Sequence, residues 1–465
     1  MITFSLRQPL ALAFVSAAVA VVVTTGAPRD DLSALPIVRV AAMAALPETR
    51  LPGGGLLGGI SDLAVAGPER DGWADVWVIT DRGPNGTADR DGVTRRTLLE
   101  PGFVPCIVRL SVPTSSSTNA DPTNADPAEV RVIEIIPLTG VSGRPVNGRP
   151  NGVGRDEPML GADGDTALAA SADGVDTEGL VPCGDGFWAA EEYRPSLLRI
   201  GADGRIEERH VPADVRLPHA DTRVIAGLPA AYGDRRDNRG FEALAASPDG
   251  TRLYALLQSP LDHPAPRAAK KTGNVRMLVV AADTGRPIAE HVYRLGEPAD
   301  PDYPGRGCPP DDGKLCAMAA LDDHQFVVLE QADEGVARLY RVTTTAATDT
   351  LGRAAAESTA IEGVRDLAAA GIEPVGKQLI ADLGPLLERM RHDVFGGGDP
   401  ARAKGKLKLE GLAVLDDQRL LLVNDNDFGV HEPRPGSGAT GPRTCFWVVS
   451  LPGPLLADHV LSNSQ

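Results

Sequence analysis

Hydrophobic positions in this chain fall into short paired runs rather than into the three-to-four spacing of amphipathic helices. Each pair is an apolar run, a turn rich in Asp or Gly, and a second apolar run. The clearest is KLEGLAVLDDQRLLLVNDNDFG over 408–429. Related phrases are TEGLVPCGDGFWAAEE from Thr177, GFEALAASPDGTRLYALLQSP from Gly240 and LCAMAALDDHQFVVLEQ from Leu315, with a looser ISDLAVAGPERDGWADVWVITDRG from Ile60. Apolar runs broken by such turn chemistry predict β-hairpins. Further strand patterns follow the hairpins, at Phe103–Val112, Glu129–Leu138, Ser196–Ile200, Arg205–Val211, Val275–Ala282, Ile288–Leu295, Ala337–Thr343 and Cys445–Leu451.

The units begin about 60 to 120 residues apart, and four strands per unit is the blade of a β-propeller. The expected fold is all-β, a propeller of four-stranded antiparallel sheets, with six blades favoured and five or seven possible. Leu35–Ala45, which is placed to close the ring, and the segment between Leu339 and Lys404 offer the additional strands. A β-sandwich would also hold these strands but gives no reason for a recurring phrase. The one convincing helical pattern is Lys377–Met390, broken near Gly384.

The N-terminus carries Arg7 and then an apolar run from Leu10 to Val23. The run is short for a bilayer span, so residues 1–27 read as a signal peptide and the protein as exported, periplasmic or extracellular, with no membrane span after cleavage. The propeller domain is expected over 34–455, with loop insertions at 113–127 and 139–172, a partly helical insertion at 364–394, and a tail at 456–465. Gly (51) and Pro (39) are spread along the chain, as many turns require. The formal charge of −17 argues against a nucleic-acid partner. A monomer is expected. Five Cys leave at least one thiol unpaired in the monomer, and a Cys308–Cys316 pair would close a local loop.

Strands of an antiparallel hairpin begin and end at one edge, so the polar residues that open and close each phrase share a rim. Glu178, Glu242 and Glu410 occupy one register position, immediately before Gly/Ala-Leu. Cys316 and Ser61 take that place in the other two copies, and Asp62 is displaced by one and expected to face away. Glu191, Gln258, Glu330 and Asn424 read as a second ring at the hairpin's far end, with Asp81, Glu192 and Asp425 just beyond. Converging carboxylates repel and are desolvated unless a counter-charge joins them. Oxygen ligands from Glu178, Glu242, Glu410, Asn424 and Asp425 suit a divalent metal, Ca²⁺ before Zn²⁺. The alternative is that these acids stitch neighbouring blades together. Arg82, Arg194 and Arg239 are candidates for gripping a small anionic ester substrate, and Asp81 or Glu192 for a general base. No G-x-S-x-G elbow, Walker loop, H-E-x-x-H or Rossmann glycine pattern appears in a supporting context.

In ITDRGPNG (79–86), DTEGLVPCGDGFWAAEEYRPSLLRI (176–200), NRGFEALAASPDGTRLYALLQSPL (238–261) and LEGLAVLDDQRLLLVNDNDFG (409–429) the chain resembles the phytase-like family, whose domain carries the label esterase-like activity of phytase. The resemblance implies a β-propeller, often exported, and hydrolysis of phosphate or other esters. By analogy with similar propeller phosphatases and lactonases it implies Ca²⁺ on axial carboxylates. Two departures stand out. Gln331 follows Glu330 where the family often has Arg, and Arg194 stands where Gly is common. The leading reading is an exported metal-dependent ester hydrolase, a phosphoesterase first. The alternatives are a non-catalytic cell-envelope binding propeller and a lactonase-type hydrolase.

Overall fold

The computed structural model describes residues 38–115, 127–152, 158–268, 272–296, 313–332, 335–352, 361–395, 407–430 and 441–456. The expected signal peptide, most of the 113–127 loop, Cys308 and the tail beyond residue 456 lie outside them.

Five antiparallel sheets form five blades. Blade one comprises Ile60–Val65, Trp73–Thr80, Cys106–Pro113 and Arg131–Pro137. Blade two comprises Thr177–Cys183, Gly186–Glu191, Ser196–Gly201 and Ile206–Pro212, with Arg223–Leu228 added in parallel at its edge. Blade three holds Phe241–Ala246, Arg252–Leu257, Asn274–Ala281 and Pro287–Arg294. Blade four holds Lys314–Ala320, Gln325–Ala332, Val336–Thr343 and Gly376–Asp382. Blade five takes Lys408–Val414, Arg419–Asp425 and Cys445–Ser450, and is completed by the N-terminal Arg39–Ala45 pairing with Cys445–Ser450.

The ring therefore closes at five, within the range the repeats allow and one short of the favoured six. Both candidate extra segments went to existing blades. Arg39–Ala45 closes blade five. Gly376–Asp382, part of the predicted helix, is instead the outer strand of blade four. The α-helix is Gly384–Phe395, beginning where Asp382 accepts the Gly384 N–H at 2.7 Å and Pro385 sits in the first turn, where its missing donor costs nothing.

Inner-blade strands are buried on both faces, which explains their continuous apolar runs: Leu420, Leu421, Leu422 and Val423 are all fully buried. Apolar clusters fill the seams. One joins blades two to four, one joins blades four and five with the helix, and one joins blades five and one. The first strands of successive blades line the axis. They approach so closely that a Cβ on Gly179 would lie 2.7 Å from the Leu244 nitrogen of the next blade.

Candidate functional site: the axial mouth

Every first strand carries a register shift at the same place. The pairing slips between Ile60 and Asp62, Phe241 and Ala243, Leu315 and Ala317, and Leu409 and Gly411 on the first strands, and between Ala189 and Glu191 opposite Thr177–Leu180. The bulged residues are Ser61, Glu242, Cys316 and Glu410, with Glu178 inside the corresponding shift. These are the positions that the repeated phrase aligns. A bulge re-aims a side chain, and the repeat of one bulge around five blades gathers five such side chains at one end of the axis.

The register also sorts the hairpins' far ends. Thr80, Glu191, Leu257, Glu330 and Asn424 face the residue before each bulge. Gln258 is thus not the partner of Glu191 that the phrases suggest. It belongs one step on, with Asp81, Glu192, Gln331 and Asp425. The earlier set turns into the blades. Glu191 accepts from Ser196 Oγ at 2.7 Å and pairs with Arg209 at 2.9 Å. Glu330 holds Tyr293, Lys377 and the Gly296 N–H. Asn424 caps the Cys445 N–H at 2.7 Å and donates to the Arg443 carbonyl, so its amide is engaged away from the axis. Asp62, expected to face away, instead lines the axial channel with Leu180, Leu244, Met318 and Leu412, and accepts the Leu180 N–H at 2.9 Å, stitching blade one to blade two.

Glu178, Glu242 and Glu410 do converge. Burial raises the pKa of Glu178, and the charges of Glu242, Asp176, Glu192 and Glu410 push it further in the same direction. Burial, then Glu192 and Glu410, raise Glu242, with Lys314 opposing. Glu410 is pushed up to about 8 by burial and Asp425, against Lys408 and Lys314. Asp81 is raised by burial, Asp425 and Asp176, while Asp425 reaches about 6 by burial despite Lys408 at 3.0 Å.

Sequence reasoning missed Asp176, which is completely buried and stands two residues before the bulge. One carboxylate oxygen each from Asp176, Glu178 and Glu192 lie within 4.8 Å of one another. Buried oxygens of Glu192 and Glu242 have no hydrogen-bond partner in this structure. Arg82 locks this group from the side of blade one. Its guanidinium pairs with Asp176 at 2.5 Å and Glu192 at 3.2 Å and donates to Asn238, and its backbone N–H donates to Asp176 Oδ1 at 3.1 Å. The loop at 139–152 passes directly over it: a Cβ on Gly148 would lie 1.7 Å from the Arg82 carbonyl oxygen, and the Tyr193 hydroxyl donates to the Gly148 carbonyl.

The other two arginines divide. Arg239 donates to the Gly313 carbonyl at 3.1 Å, at the start of blade four; burial lowers its pKa, Arg236 adds to this, and Glu192, Glu242 and Cys316 oppose it. Arg194 is lowered to about 9 by burial, Arg235 and Arg209, with Asp214 and Asp237 opposing. The acids that act on it most strongly are Asp214 and Asp237 rather than those of the axis. The dense NDNDFG turn is largely occupied with itself and its neighbours. Asp425 accepts the Asp427 N–H at 2.6 Å, and Asn426 Oδ1 accepts the N–H of Phe428 and of Gly59 in blade one.

The sequence profile of the family described as phytase-like, esterase-like activity of phytase, matches residues 56–428. The chain belongs to the phytase-like family. A relative from Arthroderma benhamiae, described as an uncharacterized secreted protein, is 31% identical over 144 residues, which is 27% of this phytase-like chain and 28% of that protein. Among solved structures, a luciferin-regenerating enzyme aligns over 86% of this chain and 94% of its own at 10% identity and a TM-score of 0.32. An α-L-arabinofuranosidase from Podospora anserina aligns over 90% and 98% at 9% identity and a TM-score of 0.35. Neither likeness bears on what this phytase-like propeller does. Among the described residues no helix is long and apolar enough to cross a membrane.

Proposed function

We propose that the protein is an exported, divalent-metal-dependent ester hydrolase acting on phosphoesters, with its site at the axial mouth. The observation that carries this reading is the trio Asp176, Glu178 and Glu192, buried and within 4.8 Å of one another. Oxygens on one Ca²⁺ lie about 2.3–2.6 Å from it, so two of them stand no more than about 5 Å apart. The all-oxygen set excludes no hard cation and favours Ca²⁺ over Zn²⁺. Seven acids gather here (Asp81, Asp176, Glu178, Glu192, Glu242, Glu410, Asp425) against Arg82, Arg239, Lys314 and Lys408. An added dication relieves that imbalance.

In this reading Asp176, Glu178 and Glu192 hold the ion, and Glu242 completes the set with its unpartnered oxygen. Glu410 and Asp425 bound the same space from blade five. When bound, the cation supplies charge to polarise an ester oxygen and acidify a water. Arg82 fixes the ligand carboxylates by its ion pairs. Asp81, raised by burial and acidic neighbours, is the base whose shift runs in the useful direction. Arg239 takes a substrate oxygen. Export rests on the N-terminal pattern and on the secreted description of the Arthroderma benhamiae relative.

The test is turnover of p-nitrophenyl phosphate, inositol phosphates, p-nitrophenyl acetate and a lactone by chelated and calcium-restored protein. Calcium-dependent phosphate release supports the proposal. Lactone opening without phosphate release selects the lactonase. Absence of turnover on all four substrates, with calcium bound, selects a binding propeller.

A further inference from the structure

The axis has a second end. Beyond the bulges the first strands run on toward the hairpin turns, and residues 62–65, 180–182, 244–246, 318–320 and 412–414 enclose a largely apolar cavity of about 260 Å³. Its floor is Leu180, Leu244, Met318 and Leu412, all buried, with Asp62 as the one ionisable side chain on its wall. Toward the turns it is rimmed by small residues that are half-buried, Ala246, Ala320 and Val414 among them, so it opens on the face opposite the acidic mouth.

Asp62 gives this cavity its chemistry. The position just past the bulge holds Gly179, Ala243, Ala317 and Gly411 in the other four blades, so the packing of the ring calls for no acid there. Asp62 is 2% exposed, and one of its oxygens accepts the Leu180 N–H at 2.9 Å. Its Oδ1 is buried without a hydrogen-bond partner, and among the described residues Asp62 makes no ion pair. Burial pushes its pKa up, opposed by the N–H groups of Leu180, Leu63 and Leu412. A buried carboxyl group with an unused oxygen against hydrocarbon and thioether walls is costly until a donor meets it.

We propose that this cavity binds a small organic cation, a primary ammonium on an apolar body, which enters from the turn face and sets its head on Asp62 Oδ1. An apolar cavity of roughly 150 Å³ holds one benzene, so about 260 Å³ scales to about ten non-hydrogen atoms. An ammonium supplies both the hydrogen bond and the counter-charge, where an alcohol supplies the first alone. Glu178 and Glu410 stand two residues further up the walls, about 7 Å away along the strands, and their charge favours a cation on this axis. A hard metal ion is poorly served, since one carboxylate falls far short of the roughly six to eight oxygens that Ca²⁺ takes. The inference stands apart from the metal reading at the other end.

Ligand-observed NMR titration of 2-phenylethylamine, 2-phenylethanol and methylamine into the intact protein, in millimolar calcium, tests this. Wild type is expected to bind 2-phenylethylamine at least about tenfold more tightly than the alcohol, which has the body without the charge, and than methylamine, which has the charge without the body. Asp62→Asn is expected to bring the amine down to the affinity of the alcohol. Ala320→Phe, which narrows the entrance, is expected to weaken both. Amine binding that Ala320→Phe leaves unchanged belongs to the acidic mouth and overturns the site. Unchanged amine binding by Asp62→Asn overturns it too, as does a wild type that takes the alcohol or methylamine as tightly as the amine, or takes no amine at millimolar concentration. The comparisons in wild type need no variant, so they decide the matter even where Asp62→Asn fails to fold.

Discussion

Glu191 and Glu192 are neighbours in sequence and serve opposite sides of blade two. Glu191 turns inward to Arg209 at 2.9 Å, both of them buried, while Glu192 turns to Arg82 at 3.2 Å beside the axis. The strand's alternation separates a carboxylate that holds the blade together from one that is available to a ligand.

That division predicts different phenotypes. Glu191→Gln leaves the Arg209 guanidinium buried without its charge partner and should cost about 3–5 kcal/mol of stability, read by denaturant unfolding, with calcium affinity little changed in the protein that remains folded. Glu192→Gln should weaken calcium binding and leave stability in chelator near wild type or above it. Equal loss of stability in both variants would contradict the assignment.

The crowded acids make stability pH-dependent in the metal-free protein. Asp176 and Glu410 are raised to about 8 and Asp425 to about 6, chiefly by burial. Between about pH 4 and 8 the folded protein therefore keeps protons that the unfolded chain has released, and stability must fall as pH rises through that window. Asp163 and Asp249, lowered to about 2 by their turn hydrogen bonds, act below it. Melting in chelator at steps from pH 5 to 8 should show the decline, Glu410→Gln should flatten it, and saturating calcium should largely remove it.

Gly179 should tolerate no side chain. Its Cβ would meet the Leu244 nitrogen at 2.7 Å and the Leu244 Cβ at 2.8 Å, both on the neighbouring first strand, so neither can swing away. Gly179→Val is expected to cost upwards of about 2 kcal/mol, by overpacking at a blade seam, measured as a lowered melting temperature. Gly184, with open space around its Cβ position but φ of +59°, should lose far less on substitution by Asn.

The ring of bulges was legible in the sequence because each copy repeats its polar opening before Gly/Ala-Leu, which brought out Glu178, Glu242 and Glu410. Asp176 was not, since the position it occupies is Gly59 or Gly240 in other blades and Lys314 or Lys408 in the rest, and no repeated letter marks it. Asn424 and Asp425 could not be separated without the register, because the bulge shifts the alternation by one residue between the strands. Leu257 shows the same effect: the phrase puts Gln258 beside Glu191, and the pairing does not. The blade count was hidden by Lys377–Asp382. Its residues are good helix formers, yet the strand Val336–Thr343 supplies a hydrogen-bonding edge that outweighs that preference. Arg82 looked like a ligand for substrate because the loop that places it against Asp176 is distant in sequence.

The most direct measurement is calorimetric titration of calcium into chelator-stripped protein, with Glu178→Gln alongside. Wild type should take up one ion with a dissociation constant of about 10⁻³ M or tighter, the range of extracellular calcium modules, releasing protons as it does so, and Glu178→Gln should lose most of that affinity. A wild type that stays silent to calcium, manganese and magnesium at millimolar concentration, or a Glu178→Gln variant that binds as wild type does, would contradict an axial cation site.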